Sequence, residues 1–275
     1  MELTHLSLFS GIGGLDLAAE WAGFRTVGQC EWADYPRAVL EKHWPGLPRW
    51  RDIRTMTGED FFAKTGVRTV DVISGGFPCQ PFSTAGKRRG KADDRYLWPE
   101  MLRVIQEIRP AWVVGENVAG LVSMALDTVL SDLESIGYSC QTLVIPACSV
   151  DSPHRRCRVA ILAHSDSDGR SRAGQEFEKR CDRGEKHSII SEDCNVSYAN
   201  SQRLQIAGFE PGIGTVQSEN GVELGSWWPT EPDVGRVAHG VPSRVDRIKC
   251  LGNAVVPQQF YPVFRAIADL ERMVR

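Results

Sequence analysis

The sequence predicts an α/β domain built on a doubly wound, mostly parallel sheet. Three observations carry this: short apolar runs alternate with stretches of helical spacing from Leu3 to Leu162, glycine-rich turns follow two of the runs, and the C-terminal stretch is amphipathic. Leu3–Phe9 reads as a short buried strand, Ser10–Gly14 as a turn and Leu15–Trp21 as a helix. Thr26–Cys30 is a second strand that ends at Glu31. The next helix is expected over Asp34–His43, with Pro36 in its first turn, where a missing N–H costs least. Val70–Ile73 is another strand. Leu97–Ile108 is helical and stops before Pro110, and Trp112–Gly115 is a strand. Leu121–Ile136 carries Val122, Leu126, Val129, Leu130 and Leu133 at helical spacing. Ser139–Ile145 and Arg158–Leu162 supply two more strands, the second begun by an alternation that sets Arg156 and Arg158 on one side.

From His164 to about Asn200 the chain is rich in Ser, Asp, Gly and Arg, and glycine-rich segments follow before Trp227-Trp228-Pro229. This reads as a small, irregular module inserted into the first domain. Order returns over Ile248–Val256 and a final helix at about Gln258–Met273, whose apolar face needs a partner and is placed back against the N-terminal domain. The expected organisation is a catalytic domain at 1–165, a small module at 166–240 and a returning segment at 241–275.

Composition narrows the function class. No stretch approaches the roughly 18 apolar residues of a membrane span, and the N-terminus does not read as a signal peptide. The eight cysteines fall at irregular spacings without a CxxC pair, which argues against a metal site and against a disulfide framework. Reduced thiols and a cytoplasmic location follow as expectations. Residues 166–233 hold seven Lys/Arg and thirteen Asp/Glu, a balance of −6, so with a net charge of −3 the rest of the chain is +3. The positive charge gathers at Lys87-Arg88-Arg89 with Lys91 and Arg95, at Arg155, Arg156 and Arg158, and at Arg244, Arg247 and Lys249, which suits a cleft that attracts a polyanion.

The stretch Gly75-Gly76-Phe77-Pro78-Cys79-Gln80-Pro81-Phe82-Ser83 follows the third apolar run. Two prolines fix φ on either side of Cys79 and stiffen the loop, so the sulfur is aimed. A nucleophile is the sharper reading, a structural cysteine the plainer one. Phe9-Ser10-Gly11-Ile12-Gly13-Gly14 lies between strand and helix, and Glu31 closes the next strand twenty residues after Gly11, the distance at which an acid meets ribose hydroxyls. Asp52-Ile53 offers a carboxylate and an apolar wall, or only a solvated acid. Glu116 ends the Trp112 strand, where doubly wound sheets open their crevice, so it can face Cys79. Two guanidinium groups at Arg156 and Arg158 can clamp a carbonyl, carboxylate or phosphate. Leu251-Gly252-Asn253-Ala254-Val255 presents a turn glycine and small residues that can close over a flat ligand.

Together these residues resemble the DNA (cytosine-5)-methyltransferase family, in family order over most of 4–165 and 240–265. Phe9–Gly14 resembles its S-adenosyl-L-methionine (AdoMet) loop, Gly76–Ser83 its nucleophile motif, Glu116-Asn117-Val118 its ENV motif, Arg156 and Arg158 its QxRxR element, and Gly252–Val255 its final motif. His154 replaces the first glutamine of QxRxR, Ala254 stands where serine is frequent, and 166–240 matches no nameable specificity class. Gly240–Arg244 resembles compact phage and prophage members.

The resemblance implies a Rossmann-like AdoMet-dependent fold with 166–240 as target-recognition domain. It implies catalytic Cys79, Glu116, Arg156 and Arg158. It implies cofactor contacts from Phe9, Gly11, Ile12, Gly13, Gly14, Leu15, Glu31, Trp32, Asp52, Ile53, Gly76, Pro78, Leu97, Asn253, Ala254 and Val255, with S-adenosyl-L-homocysteine as product. DNA contacts are expected from Gln80, Ser83, Lys87, Arg88, Arg89, Lys91, Arg95, Arg155 and Arg244. The expected partner is double-stranded DNA, with monomeric action as default, no membrane, and a cognate restriction endonuclease as a further partner. An RNA cytosine substrate, a modified AdoMet donor and an inactive DNA-binding regulator stay open beside it.

Overall fold

A computed structural model of the chain describes residues 2–78, 96–152, 154–166 and 242–274. Seven strands form one sheet: β1 (Leu3–Leu8), β2 (Phe24–Cys30), β3 (Arg49–Trp50), β4 (Val72–Gly75), β5 (Trp112–Val118), β6 (Tyr138–Ile145) and β7 (Arg158–Ser165). Their spatial order is β3-β2-β1-β4-β5-β7-β6. The pairs β1/β2, β1/β4, β2/β3 and β4/β5 are parallel, while β7 runs antiparallel to both β5 and β6. The mostly parallel, doubly wound sheet is as expected. The direction of β7 was not readable, because a strand buried along nearly its whole length carries no mark of its sense.

Helices cover both faces. The helices are α1 (Gly14–Trp21), α2 (Asp34–His43), α3 (Gly58–Thr65), α4 (Trp98–Ile108), α5 (Leu121–Met124), α6 (Leu126–Ser135), α7 (Arg244–Asn253) and α8 (Pro257–Val274). Alternate residues of the sheet serve two cores. Leu6, Ile73, Val113 and Ile161 join Phe61, Trp98, Met101, Ile105, Val129 and Leu133 on the face of α3, α4 and α6. Val72, Val114, Ala160 and Leu162 join Ala18, Ala19, Phe260, Phe264 and Ile267 on the face of α1 and α8. The period of two along each strand is what lets one sheet feed both. The C-terminal helix therefore does find its partner face on the N-terminal part of the chain, and Phe264 meets the Phe24 ring edge-on at 5.9 Å.

Several local expectations are corrected. Helix α3 was not anticipated, although Thr57 caps it by accepting from Asp60 N–H at 3.1 Å and Gly66 ends it in the left-handed region at φ 72°. The stretch read as one helix over Leu121–Ile136 is two, broken at Ala125 with φ −153°. β4 begins at Val72 and runs on through Gly75, two residues later than the apolar run suggested. Gly252 is no turn glycine and lies inside α7. The expected module at 166–240 lies, from residue 167, outside the described residues.

Candidate active site

The sheet order reverses between β1 and β4, and the crevice opens beyond the C-terminal ends of the parallel strands. Leu8 and Gly75 are register partners at that edge, and Gly75 pairs on with Gly115. The Phe9 turn, the Gly76 loop and Glu116 are thereby carried to one rim. Glu116 is buried, and its Oε1 forms an ion pair with Arg158 Nε at 2.7 Å. Burial pushes the Glu116 carboxyl up to about 7, against the opposing pull of Arg158 and then Arg156. Gly76 makes room for this group, since a Cβ there would stand 2.7 Å from Glu116 Oε2. Asn117 Nδ2 donates to the Phe77 carbonyl at 2.9 Å, and the Phe77 ring packs on Trp98 at 4.9 Å. The loop is thus fixed on both its backbone and its side chain two residues before Cys79. Cys79 itself, with Gln80, Ser83, Lys87, Arg88, Arg89, Lys91 and Arg95, lies outside the described residues.

At the other end of the rim, the Glu31 carboxylate accepts Gly11 N–H and Ala33 N–H, each at 2.8 Å. It thereby ties β2 to the glycine turn and keeps lone pairs for a diol. Trp32 presents an exposed ring with the guanidinium carbons of Arg51 and Arg54 at 5.8 and 5.6 Å. Asp52 is engaged by Arg54, whose hydrogen bond holds the carboxyl below its ordinary range. A cleft of about 290 Å³ opens between Ile12, Gly14 and Leu17 on one side and His154, Arg156, Leu251 and residues 254–258 on the other. Gly14 is obligatory at this contact, because a Cβ would lie 2.7 Å from the Val255 carbonyl oxygen. The cleft is mostly apolar, and Glu31 and Trp32 follow β2 outside its lining.

The family profile of the C-5 cytosine-specific DNA methylases matches residues 3–204. The chain belongs to this family. The type II methyltransferase M.BsuFI of Bacillus subtilis is 34% identical over 172 residues, covering 60% of this chain and 40% of that protein. M.PspPI of a Psychrobacter species is 38% identical over 164 residues, 57% of this chain and 38% of that one. The matched part of the chain thus spans about two fifths of the length of these relatives. Among solved structures, a putative DNA modification methyltransferase encoded within an Escherichia coli prophage aligns with a TM-score of 0.51 and 24% identity, over 60% of this chain and 47% of that one. The Dnmt2 methyltransferase of S. pombe aligns with a TM-score of 0.51 and 24% identity, over 61% and 52%. These likenesses show the methyltransferase fold.

In this methylase-family chain the structure corrects one local reading, the alternation that set Arg156 beside Arg158. Arg156 does not begin β7. Its φ is 33°, and its Nη2 donates to the Gly252 and Ala254 carbonyls, both at 2.6 Å, while its charge still acts on Glu116. Ile53 and Leu15 are packed in the two cores. Leu97 precedes α4 and packs against the first core. Of the others, Phe9 has φ 53° at the turn, Gly13 leads into α1, Pro78 is half-buried, Asn253 ends α7, Arg155 is exposed and Arg244 opens α7.

Two groups escaped the sequence reading. Asp16 looked like an ordinary acid of a first helical turn, yet it is fully buried, accepting from Ser7 Oγ and Gln29 Nε2, each at 2.8 Å. Gln259 looked like a solvated helix residue, yet its Nε2 donates to the carbonyls of Ile145 at 2.8 Å and Arg156 at 3.0 Å. No residue pattern distinguishes either from its solvent-facing equivalent.

Proposed function

We propose that this chain methylates C5 of a cytosine flipped out of double-stranded DNA, with AdoMet as donor. The observation that carries the reading is Glu116: a buried carboxyl held against Arg158 in the C-terminal half of β5, across from the Gly76 loop that reaches Cys79 three residues later. Cytosine C5 is a weak nucleophile. Addition of the Cys79 thiolate at C6 breaks the C5–C6 double bond and puts electron density on C5. Glu116, with its carboxyl at about 7, still holds a proton in part at neutral pH and can pass it to N3 as charge builds there. Arg158 keeps that carboxyl oriented. When bound, AdoMet supplies an electrophilic methyl group on a sulfonium. Methyl transfer to C5 would leave S-adenosyl-L-homocysteine; a water or nearby base would then take the C5 proton, the C5–C6 double bond would reform as the thiolate leaves, and the N3 proton would return to Glu116.

The cofactor assignment is supported by Glu31 at the diol position, the exposed Trp32 ring and the cleft between Gly14 and Val255. Target atoms stacked in a duplex are out of reach of a buried acid, so the base must leave the stack, at about a few kcal/mol. Arg155, Arg244 and the basic residues of 80–95 are assigned to DNA phosphates, 166–240 to target recognition, and a restriction endonuclease to the role of partner. Among the described residues no cluster could hold a metal ion and no helix is long and apolar enough to cross a membrane.

The test is to incubate the purified chain with AdoMet and duplex DNA, then map 5-methylcytosine by sequencing, with a single-stranded RNA substrate alongside. Methylation at a fixed sequence context in DNA is expected. Product in RNA alone, or AdoMet binding with no product in either, would overturn the reading.

A further inference from the structure

The cleft beside Gly14 is closed on its far side by the strap that joins α7 to α8, residues 254–256. Its Val255 carbonyl rests against the glycine turn. Two long polar side chains fasten this strap to the loop before β7. Arg156 reaches from the loop to the Gly252 and Ala254 carbonyls at 2.6 Å. Gln259 reaches back from the first turn of α8 to the Arg156 and Ile145 carbonyls at 3.0 and 2.8 Å. Each segment's side chain thus grips the other segment's backbone.

We propose that this reciprocal clasp positions the strap and the Arg158–Glu116 pair together, making Gln259 a positioning residue that couples cofactor seating to the acid. The proposal rests on the reading of the cleft as the AdoMet site. The coupling is short in space. Ile145, held by Gln259, is the register partner of Arg158 across β6/β7, and Val118 of β5 is its partner on the other side. Arg158 in turn holds Glu116 at 2.7 Å. Arg156 has a left-handed backbone, which a non-glycine residue keeps only where its surroundings over-determine it. The clasp supplies that constraint through its side chain and its carbonyl. Gln259 is 1% exposed, and its Oε1 is buried without a partner among the described residues. An apolar side chain would avoid that unmet acceptor, so the position serves the amide donor.

The experiment uses the full chain with Gln259→Met, of similar length but without a donor, with Arg156→Gln, and with both together. Amide hydrogen exchange of residues 250–256 in the free protein reads the clasp without cofactor. Calorimetry with AdoMet and the pH profile of kcat on DNA read the coupling. Each single variant should speed strap exchange and weaken AdoMet binding about tenfold, as loss of paired buried hydrogen bonds implies. The high-pH limb of kcat should move upward as Arg158 seats less firmly on Glu116. The double variant should lose less than the product of the singles, as parts of one unit do. If Gln259→Met does not fold, Arg156→Gln gives the same readouts.

Unchanged strap exchange would overturn the clasp. Faster exchange with AdoMet affinity and the pH limb both within twofold of the parent would overturn the coupling. Parent protein that binds no AdoMet would instead overturn the functional reading and the coupling with it, leaving the exchange result to decide the clasp.

Discussion

Replacing Asp16 by Asn should stabilise the protein at neutral pH. Asp16 is fully buried at the start of α1, beneath the glycine turn, and burial raises its carboxyl from 3.8 to about 6 despite the hydrogen bonds from Gln29 and Ser7. The group binds its proton more tightly folded than unfolded. Its contribution to stability is therefore fully present below the unfolded value and is lost as pH rises through about 6. Roughly two pKa units correspond to about 3 kcal/mol. About half of that should be lost at pH ~5 and nearly all at pH ~7. An asparagine keeps the network: its oxygen accepts from Gln29 Nε2, and its amide donates to a Ser7 hydroxyl that turns to accept. Urea unfolding of the parent and Asp16→Asn at pH 5, 6 and 7.5 measures the effect. The variant's advantage should grow with pH toward about 3 kcal/mol. An advantage that is absent at pH 7.5, or the same at every pH, would refute the reasoning.

Other outcomes follow from the same geometry. Arg158→Leu leaves Glu116 buried without its main counter-charge, so stability should fall by about 3 kcal/mol at pH 8, and by less at pH 6, where Glu116 can take a proton; denaturant titration at the two pH values checks this. Gly76→Ala brings a methyl to 2.7 Å from Glu116 Oε2 and must displace a carboxylate fixed by Arg158. It should cut kcat at least tenfold in a protein whose unfolding midpoint is little changed, and near-parent kcat would show that Glu116 needs no such fit. In the parent, the high-pH limb of kcat should fall near the Glu116 value of about 7, and a limb that survives in Glu116→Gln would assign it elsewhere.

Much of the fold was legible because pattern and punctuation agreed. α2 runs from Asp34 to His43 as read, since Pro36 fits only a first turn. α4 shows its core face as Trp98, Met101, Ile105 and Ile108, and Pro110 ends it. The end of β2 before Glu31 was readable because a charged residue closes the apolar run, whereas β5 runs past Glu116 to Val118, since an acid buried against Arg158 does not stop a strand. Arg156 was misread because alternation assumes an extended backbone, and a left-handed residue breaks the count just before β7. The core packing of Ile53 was not readable, because an apolar residue after an acid looks the same whether it lines a ligand or fills a core. Gln259 and Asp16 depend on contacts made across 103 and 13 residues of chain, which no local pattern encodes.

The proposed mechanism requires the sulfur of residue 79 to bond to the target base. Duplex DNA carrying 5-fluorocytosine in the methylated context, incubated with AdoMet and resolved under denaturing conditions, measures this directly. A DNA–protein adduct is expected, with its attachment mapped to Cys79 by mass spectrometry and lost in Cys79→Ser. Methylation of ordinary cytosine by a protein that forms no such adduct, or an adduct at another residue, would contradict it.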